Sequence, residues 1–363
     1  MRQYLAGSLQ LATSVATAVL LGAGATSAAA QSSDFNDRDN IVIADQFNNR
    51  VVEIERSTHR VVWVFGDGSE VPGPHSIVGT NDAERFGAYT LISGTGIPPS
   101  NPPLPGCSTP ATGCPDNRVI IVNPAGKIVW QYGPAELNTP VHAVFLAEFP
   151  HHSGFHVMIT DQANERVIVV NLFTKTVDWQ YGMTGVTGVG PDQLNNPNSA
   201  ELLANGHVLI ADENNNRVIE VTVDKQIVNT FTGGGSVSGA AFASRLSDGN
   251  TLITDSNNNR IIEVDGNDAI VWSYVTNTQP GSNPNPLPTR AVRLKNGNTL
   301  ISDQFNNRVI EVTHAGNIVF QQGALNVIGN GFDLLNGPYD AKDVGDYTGL
   351  TPPFDFDGGR ADH

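Results

Sequence analysis

The sequence predicts an all-β fold, a six-bladed β-propeller closed by its C-terminal strand. Three observations carry that reading. One motif recurs six times at a nearly constant period, and each copy is embedded in four short strand-like runs. The composition, with 37 Gly, 22 Pro and only 15% charged residues, describes many turns and few surface helices.

The elements follow in chain order. Residues 1–30 read as an export signal: Arg2, an apolar stretch through Val15–Leu21, no Asp or Glu, and a small-residue site at Ala28-Ala29-Ala30 before Gln31. Residues 31–350 form the propeller. Its motif is Ile43-Ala-Asp45-Gln-Phe-Asn-Asn49-Arg50, which returns at Ile159–Arg166, Ile210–Arg217, Ile253–Arg260 and Ile301–Arg308. A sixth copy is split, starting at Leu91-Ile-Ser93-Gly94 and resuming at Asp116-Asn117-Arg118. The marker arginines are spaced by 68, 48, 51, 43 and 48 residues. Removing an insertion at about 95–115 in blade two brings the long interval into line with the others.

The last complete unit illustrates the four strands. Arg290–Leu294 is followed by a hairpin at Asn296-Gly297, then Thr299–Ser302, the motif turn, Val309–Val312, a turn at Ala315-Gly316, and Ile318–Phe320. Middle strands such as Val119–Val122 are apolar throughout, as expected of sheets covered on both faces. Trp63, Trp130, Trp179, Trp272, Phe231 and Phe320 mark the fourth strand and should pack between sheets. The first unit, starting at Asn40, lacks an inner strand. Pro338-Tyr-Asp340-Ala-Lys342 matches Pro140-Val-His142-Ala-Val144 and Pro197-Asn-Ser199-Ala-Glu201, and so should complete it from the other terminus. Residues 351–363 remain as a C-terminal tail.

These repeats resemble the NHL-type six-bladed propellers, whose units carry an Asp, an Asn and an Arg in the turn between the second and third strands. The resemblance spans roughly residues 40–348 and implies the propeller fold. Such propellers serve many functions. One enzyme on this scaffold, the peptidyl-α-hydroxyglycine α-amidating lyase, holds a central metal with histidines. Bacterial arylsulfotransferases carry segments similar to Gly249-Asn-Thr-Leu-Ile253 and Gly297-Asn-Thr-Leu-Ile301. Neither catalytic pattern maps residue by residue onto this chain.

The repeated polar residues are expected to be structural. Asp212-Glu-Asn214-Asn-Asn216 and Asp255-Ser-Asn257-Asn-Asn259 imitate the opening of a calcium loop, but Arg217 and Arg260 replace its Gly, and Val223 and Gly266 replace its closing Glu. Side chains bonding the backbone of a turn explain them instead. Glu53, Glu220, Glu263 and Glu311 each follow a marker Arg by three positions, which suggests pairing of Arg in one blade with Glu in the next.

Departures from the repeat nominate the site. Two positions after the inner-strand Pro, the blades present Asp340, Ser76, His142, Ser199, Phe242 and Arg290; two further on they present Lys342, Val78, Val144, Glu201, Ser244 and Val292. His75 adjoins Ser76, so His75 and His142, with Glu201 or Asp340, are candidate ligands for a divalent metal in the central channel, or an acid–base pair. The alternative is a polar channel in which Asp340 pairs with Arg290. His151, His152 and His156 are expected at the surface of blade three.

Once Arg2 leaves with the signal, 19 basic side chains face 36 acidic ones, a net charge of −17, which disfavours nucleic acid and anionic membranes. Export and an even cysteine count predict a Cys107–Cys114 disulfide. Esterase elbows, phosphate-binding Gly-rich loops and His-Glu-x-x-His are missing from the sequence. The functional expectation is a secreted or periplasmic monomer that binds or scaffolds a protein, peptide or glycan at its loop face. The alternative is a metal-dependent lyase or hydrolase at the channel mouth.

Overall fold

The computed structural model describes residues 34–351 except 101, 110 and 349. The expected signal segment and residues 352–363 of the expected tail lie outside the described residues. Six four-stranded antiparallel sheets make the ring, and among the described residues the only helical elements are single 3-10 turns. Blade one is built as expected: Pro338–Asp343 pairs with Asn40–Asp45, with Ala341 opposite Ile43, inside Arg50–Glu55 and Val61–Phe65. Between blades, the apolar faces form buried clusters such as Val42, Val51, Ile77, Ala83, Ile92 and Ile120.

The motif holds each blade to itself and to its neighbour. At its turn Asp45 Oδ2 accepts from Asn48 Nδ2 and Arg50 Nε, and the same Asp–Arg pair, five residues apart, forms in four further blades; in blade two Gly94 stands at the motif Asp position and Asp116, two residues before Arg118, pairs with it instead. The residue before each marker Arg takes a left-handed conformation (φ 51–57°), which Asn tolerates better than most residues. From there its side-chain oxygen accepts a backbone N–H at the start of the next blade. The pairs Asn49–Gly79, Asn117–Thr139, Glu165–Asn196, Asn216–Gly239, Asn259–Leu287 and Asn307–Gly337 lie at 2.5–3.1 Å and run round the whole ring. Outer-strand tryptophans add a second tie: the indoles of Trp63, Trp130, Trp179 and Trp272 donate to Pro124, Leu172, Val223 and His314 carbonyls of the following blade.

The expected pairing of marker Arg with the next blade's Glu does not occur. Each marker Arg sits at the turn, where its own Asp is nearest, while the Glu lies further along the strand. It meets instead an Arg at the end of the next inner strand: Glu53 meets Arg85, Glu220 meets Arg245 at 2.9 Å, and Glu263 meets Arg293 at 2.9 Å. Blade one carries Asp343 in place of that Arg, and Arg56 bridges Glu311 and Asp343. Burial pushes Asp343 up to about 7 despite Arg56.

Cys107 and Cys114 are bonded within the insertion, which joins the second and third strands of blade two. The insertion folds back over blade one: Ile97, Cys107 and Cys114 pack on Phe47 and Val78, and Asn49 Nδ2 donates to Gly106 O at 2.9 Å. Gly106 is required there, since its φ is +75° and a Cβ would lie 2.4 Å from Phe47 O.

Candidate functional site

The inner strands carry the channel side chains, and one expected strand is misplaced in the sequence reading. Blade two's inner strand is Thr80–Phe86, not the segment after Pro74, so it contributes Asp82 and Glu84 rather than Ser76 and Val78. Pro74 lies six residues before the strand begins, inside the blade-one-to-two loop, and Thr80 stands where four of the other blades have Pro140, Pro197, Pro288 and Pro338. His75 is therefore exposed in that loop, and the structure does not bring it to His142.

His142, Asp82, Glu84, Ser199, Glu201, Asp340 and Lys342 are all buried in the channel. Inner strands are sheet edges, with backbone N–H groups that need partners. The channel side chains supply them from one blade to the next. Asp340 Oδ2 accepts from Ala83 N (3.2 Å), Asp82 Oδ2 from Ala143 N (3.1 Å), His142 Nδ1 from Ala200 N (3.4 Å), and Ser199 Oγ from Ala243 N (3.3 Å). With Nδ1 accepting, the neutral His142 ring carries its proton on Nε2. That atom has no hydrogen-bond partner and lies 3.9 Å from Asp82 Oδ1 and 3.8 Å from Glu201 Oε1.

Lys342 is the counter-charge. Its ammonium donates to Asp82 Oδ1 at 2.6 Å and Asp340 Oδ2 at 2.8 Å. Burial pulls the Lys342 pKa down, but Asp340, Asp82 and Glu84 more than reverse this and leave it raised. Burial holds His142 well below its ordinary value, with Lys342 and Arg290 acting the same way. It also lifts Glu84 well above the carboxylate range and Glu201 to about 7. Among the described residues, no group of three His, Cys, Asp or Glu side chains is arranged to hold a metal ion.

Both ends of the channel are closed by the chain itself. At the loop end Arg290 reaches across the ring. Its Nη1 donates to Asn198 Oδ1, Thr289 O and Ala241 O, and its Nη2 to Val141 O and Asn198 O, all at 3.0–3.3 Å. The Phe242 and Tyr339 rings lie 5.2 and 5.0 Å from the guanidinium carbon. The expected Asp340–Arg290 pair thus gives way to Asp340–Lys342. At the other end the segment after the closing strand bridges strand ends: Tyr347 OH donates to Arg85 O (3.1 Å), Thr351 N to Glu201 Oε2 (3.0 Å) and Thr351 Oγ1 to Leu202 O (2.7 Å). The sequence places Thr351 in a tail; here its side chain and backbone are bonded to blade four. In blade three His156 is buried rather than exposed, its Nε2 3.0 Å from Asp178 Oδ2.

No protein-family model matches the sequence, so the NHL resemblance rests on the motif itself, and no curated protein matches it. Solved structures do. A protein of unknown function from Bacteroides caccae aligns at 14% identity with a TM-score of 0.51, over 78% of this chain and 93% of its own. The WD40 β-propeller domain of Doa1 aligns at 10% identity and TM-score 0.50 over 79% of both chains. Virginiamycin B lyase from Staphylococcus aureus aligns at 17% identity and TM-score 0.45, over 71% of this chain and 77% of its own. At these identities the likeness is one of fold.

Proposed function

We propose that the protein is an exported binding or scaffold propeller that engages a protein, peptide or glycan through its loop face. The observation that carries this is the bridging of the channel at both ends, by Arg290 and by Tyr347 and Thr351, with Asp82, Asp340 and Lys342 bonded to one another between them. His142, Asp82, Asp340 and Lys342 serve as inter-blade ties and counter-charges, and His75 stands apart from them. The signal-like residues 1–30 and the Cys107–Cys114 disulfide support export.

Peptide and glycan arrays probed with the wild type, with His142→Ala, and with Val189→Asp/Ile328→Asp test this reading. Ligands lost on the loop-face variant and kept on folded His142→Ala support it. A ligand or activity lost on His142→Ala but indifferent to the loop face, together with stoichiometric metal in the purified protein, would sink it.

A further inference from the structure

The loop face is defined by connectivity: it holds the turns between second and third strands and the loops that lead from each outer strand to the next inner strand. Among the described residues, its Lys and Arg side chains are all committed. The six marker arginines pair with the Asp of their own turns, and Arg290 is buried against carbonyls. Of the five lysines, Lys342 is in the channel, Lys127, Lys175 and Lys295 occupy turns at the opposite strand ends, and Lys225, in the turn between the third and fourth strands of blade four, is committed to Asp192 of the Gly182–Pro197 loop at 2.9 Å. Beyond the motif pairs, the same face carries Asp67, Glu70, Glu136, Glu165 and Glu213. The opposite strand ends, by contrast, mix both signs, with Arg56, Arg60, Arg85, Arg245 and Arg293 beside their carboxylates.

Apolar side chains project from the same face. Two of the blade-to-blade loops are alike in sequence and lie three blades apart, on opposite sides of the ring: Gly182–Pro197 and Gly323–Pro338, each with a Leu-Asn before the closing residues. Each is pinned by the Asn and Arg of the following motif. Asn215 Nδ2 and Arg217 donate to Gly188 O and Val189 O, and Asn48 Nδ2 and Arg50 donate to Gly329 O and Asn330 O. The pinned loops expose Val189 (67%) and Ile328 (60%), and Val71 in a third loop is 69% exposed. Apolar tips that are held in place lose little freedom on binding.

We infer that the loop face docks a basic, amphipathic protein segment, in which Lys or Arg side chains alternate with apolar ones. This rests on the binding-module reading above and adds the partner's chemistry. Carboxylates without free cations attract a positively charged partner and repel acidic ones. The separated apolar tips then supply the contacts that a polycation alone would not make.

The test uses the purified full chain without its signal and a synthetic peptide alternating Lys and Leu, with a Glu–Leu peptide as control, titrated at 150 mM salt. Asp67→Asn/Glu70→Gln/Glu136→Gln should weaken Lys–Leu binding by about tenfold, chiefly by slowing association. Val189→Ser/Ile328→Ser should also weaken it. Glu148→Gln/Asp224→Asn/Asp248→Asn, the same charge change at the opposite strand ends, should leave it within about twofold. Equal losses from both triple variants would overturn the inference, since attraction would then follow net charge rather than this face. So would absent Lys–Leu binding, or Glu–Leu binding of equal strength. If array ligands depend on the loop face yet are acidic or neutral, the partner chemistry fails while the binding-module reading survives.

Discussion

Replacing Lys342 by Met removes the only ammonium in the described channel while keeping most of its volume. Asp82 and Asp340, both fully buried, lose donors at 2.6 and 2.8 Å, and each keeps only a backbone N–H as a bonded partner from the next blade. Removing one partner of a buried charge pair costs about 3–5 kcal/mol, because the charge left behind remains desolvated. The loss should depend on pH. Burial raises the pKa of Asp340 and Lys342 opposes that rise, so without the cation this pKa is driven further up and folding favours the protonated form of Asp340. The penalty is then nearly absent below about pH 4 and grows as pH rises through the raised value. Urea unfolding followed by tryptophan fluorescence between pH 4 and 8 measures this. The wild type and Lys342→Met should converge at the acid end and separate fully by pH 8. Lys342→Met/Asp82→Asn/Asp340→Asn should recover much of the stability at pH 8. A difference below about 1 kcal/mol at pH 7.5, or one that does not change with pH, would refute the assignment of Lys342 as the internal counter-charge.

Ending the chain at Asn336 removes the closing strand and should yield insoluble protein, whereas ending it after Val344 should give a folded monomer weaker by about 1–3 kcal/mol, because Tyr347 and Thr351 bonds are lost. Size-exclusion chromatography and melting curves separate the two outcomes, and a stable monomer ending at Asn336 contradicts closure by that strand. Reducing Cys107–Cys114 should cost roughly 2–3 kcal/mol locally and speed hydrogen exchange at 97–114 while sparing the blades. Asn307→Ala should destabilise by about 1–2 kcal/mol in chemical denaturation, since Ala disfavours φ +56° and Gly337 N–H loses its acceptor; Asn307→Gly should cost less. His142 has a depressed folded pKa, so its contribution is present above about pH 6.5 and lost as pH falls below it. His142→Gln should flatten that part of the stability–pH curve, and an unchanged acid slope counts against a buried neutral imidazole.

Local chemistry explains what the sequence revealed. The Asp–Asn–Arg turn, the Asn-Gly hairpins and the outer-strand Trp each act within one blade or on its neighbour, so the period, the six sheets and the closure by Pro338–Asp343 could all be read along the chain. The channel could not be read in the same way, because its pairs join residues such as Asp82 and Lys342 that only ring geometry brings together. Lys342 was visible at an inward position, but its partner was hidden by the misplaced strand: Pro74 imitates an inner-strand start, and the true one at Thr80 has no Pro. The segment to Thr351 gave no signal either, since a few polar contacts on Glu201 and Leu202 require no hydrophobic pattern. His142 was correctly placed on the channel, but as an acceptor for Ala200 N–H and not beside His75.

Blade one also decides how the molecule responds to tension. Its two innermost strands run antiparallel, and both chain directions leave from the same end, where Ile41 faces Asp343. A pull on the N-terminal and C-terminal sides of the domain therefore loads the Ile41–Asp343, Val42–Lys342 and Ile43–Ala341 pairs one after another, like a zipper, rather than shearing them together. The ring is thus mechanically weakest at the one seam that the backbone does not cross, once the contacts of Asp346, Tyr347 and Thr351 on one side, and those of Asp34, Phe35 and Asn36 with Arg60, Trp63 and Glu53 on the other, have been peeled away. Tethered by its ends, the propeller should open at low force from blade one. Held through its loops, it carries load across staples that share it around the circle.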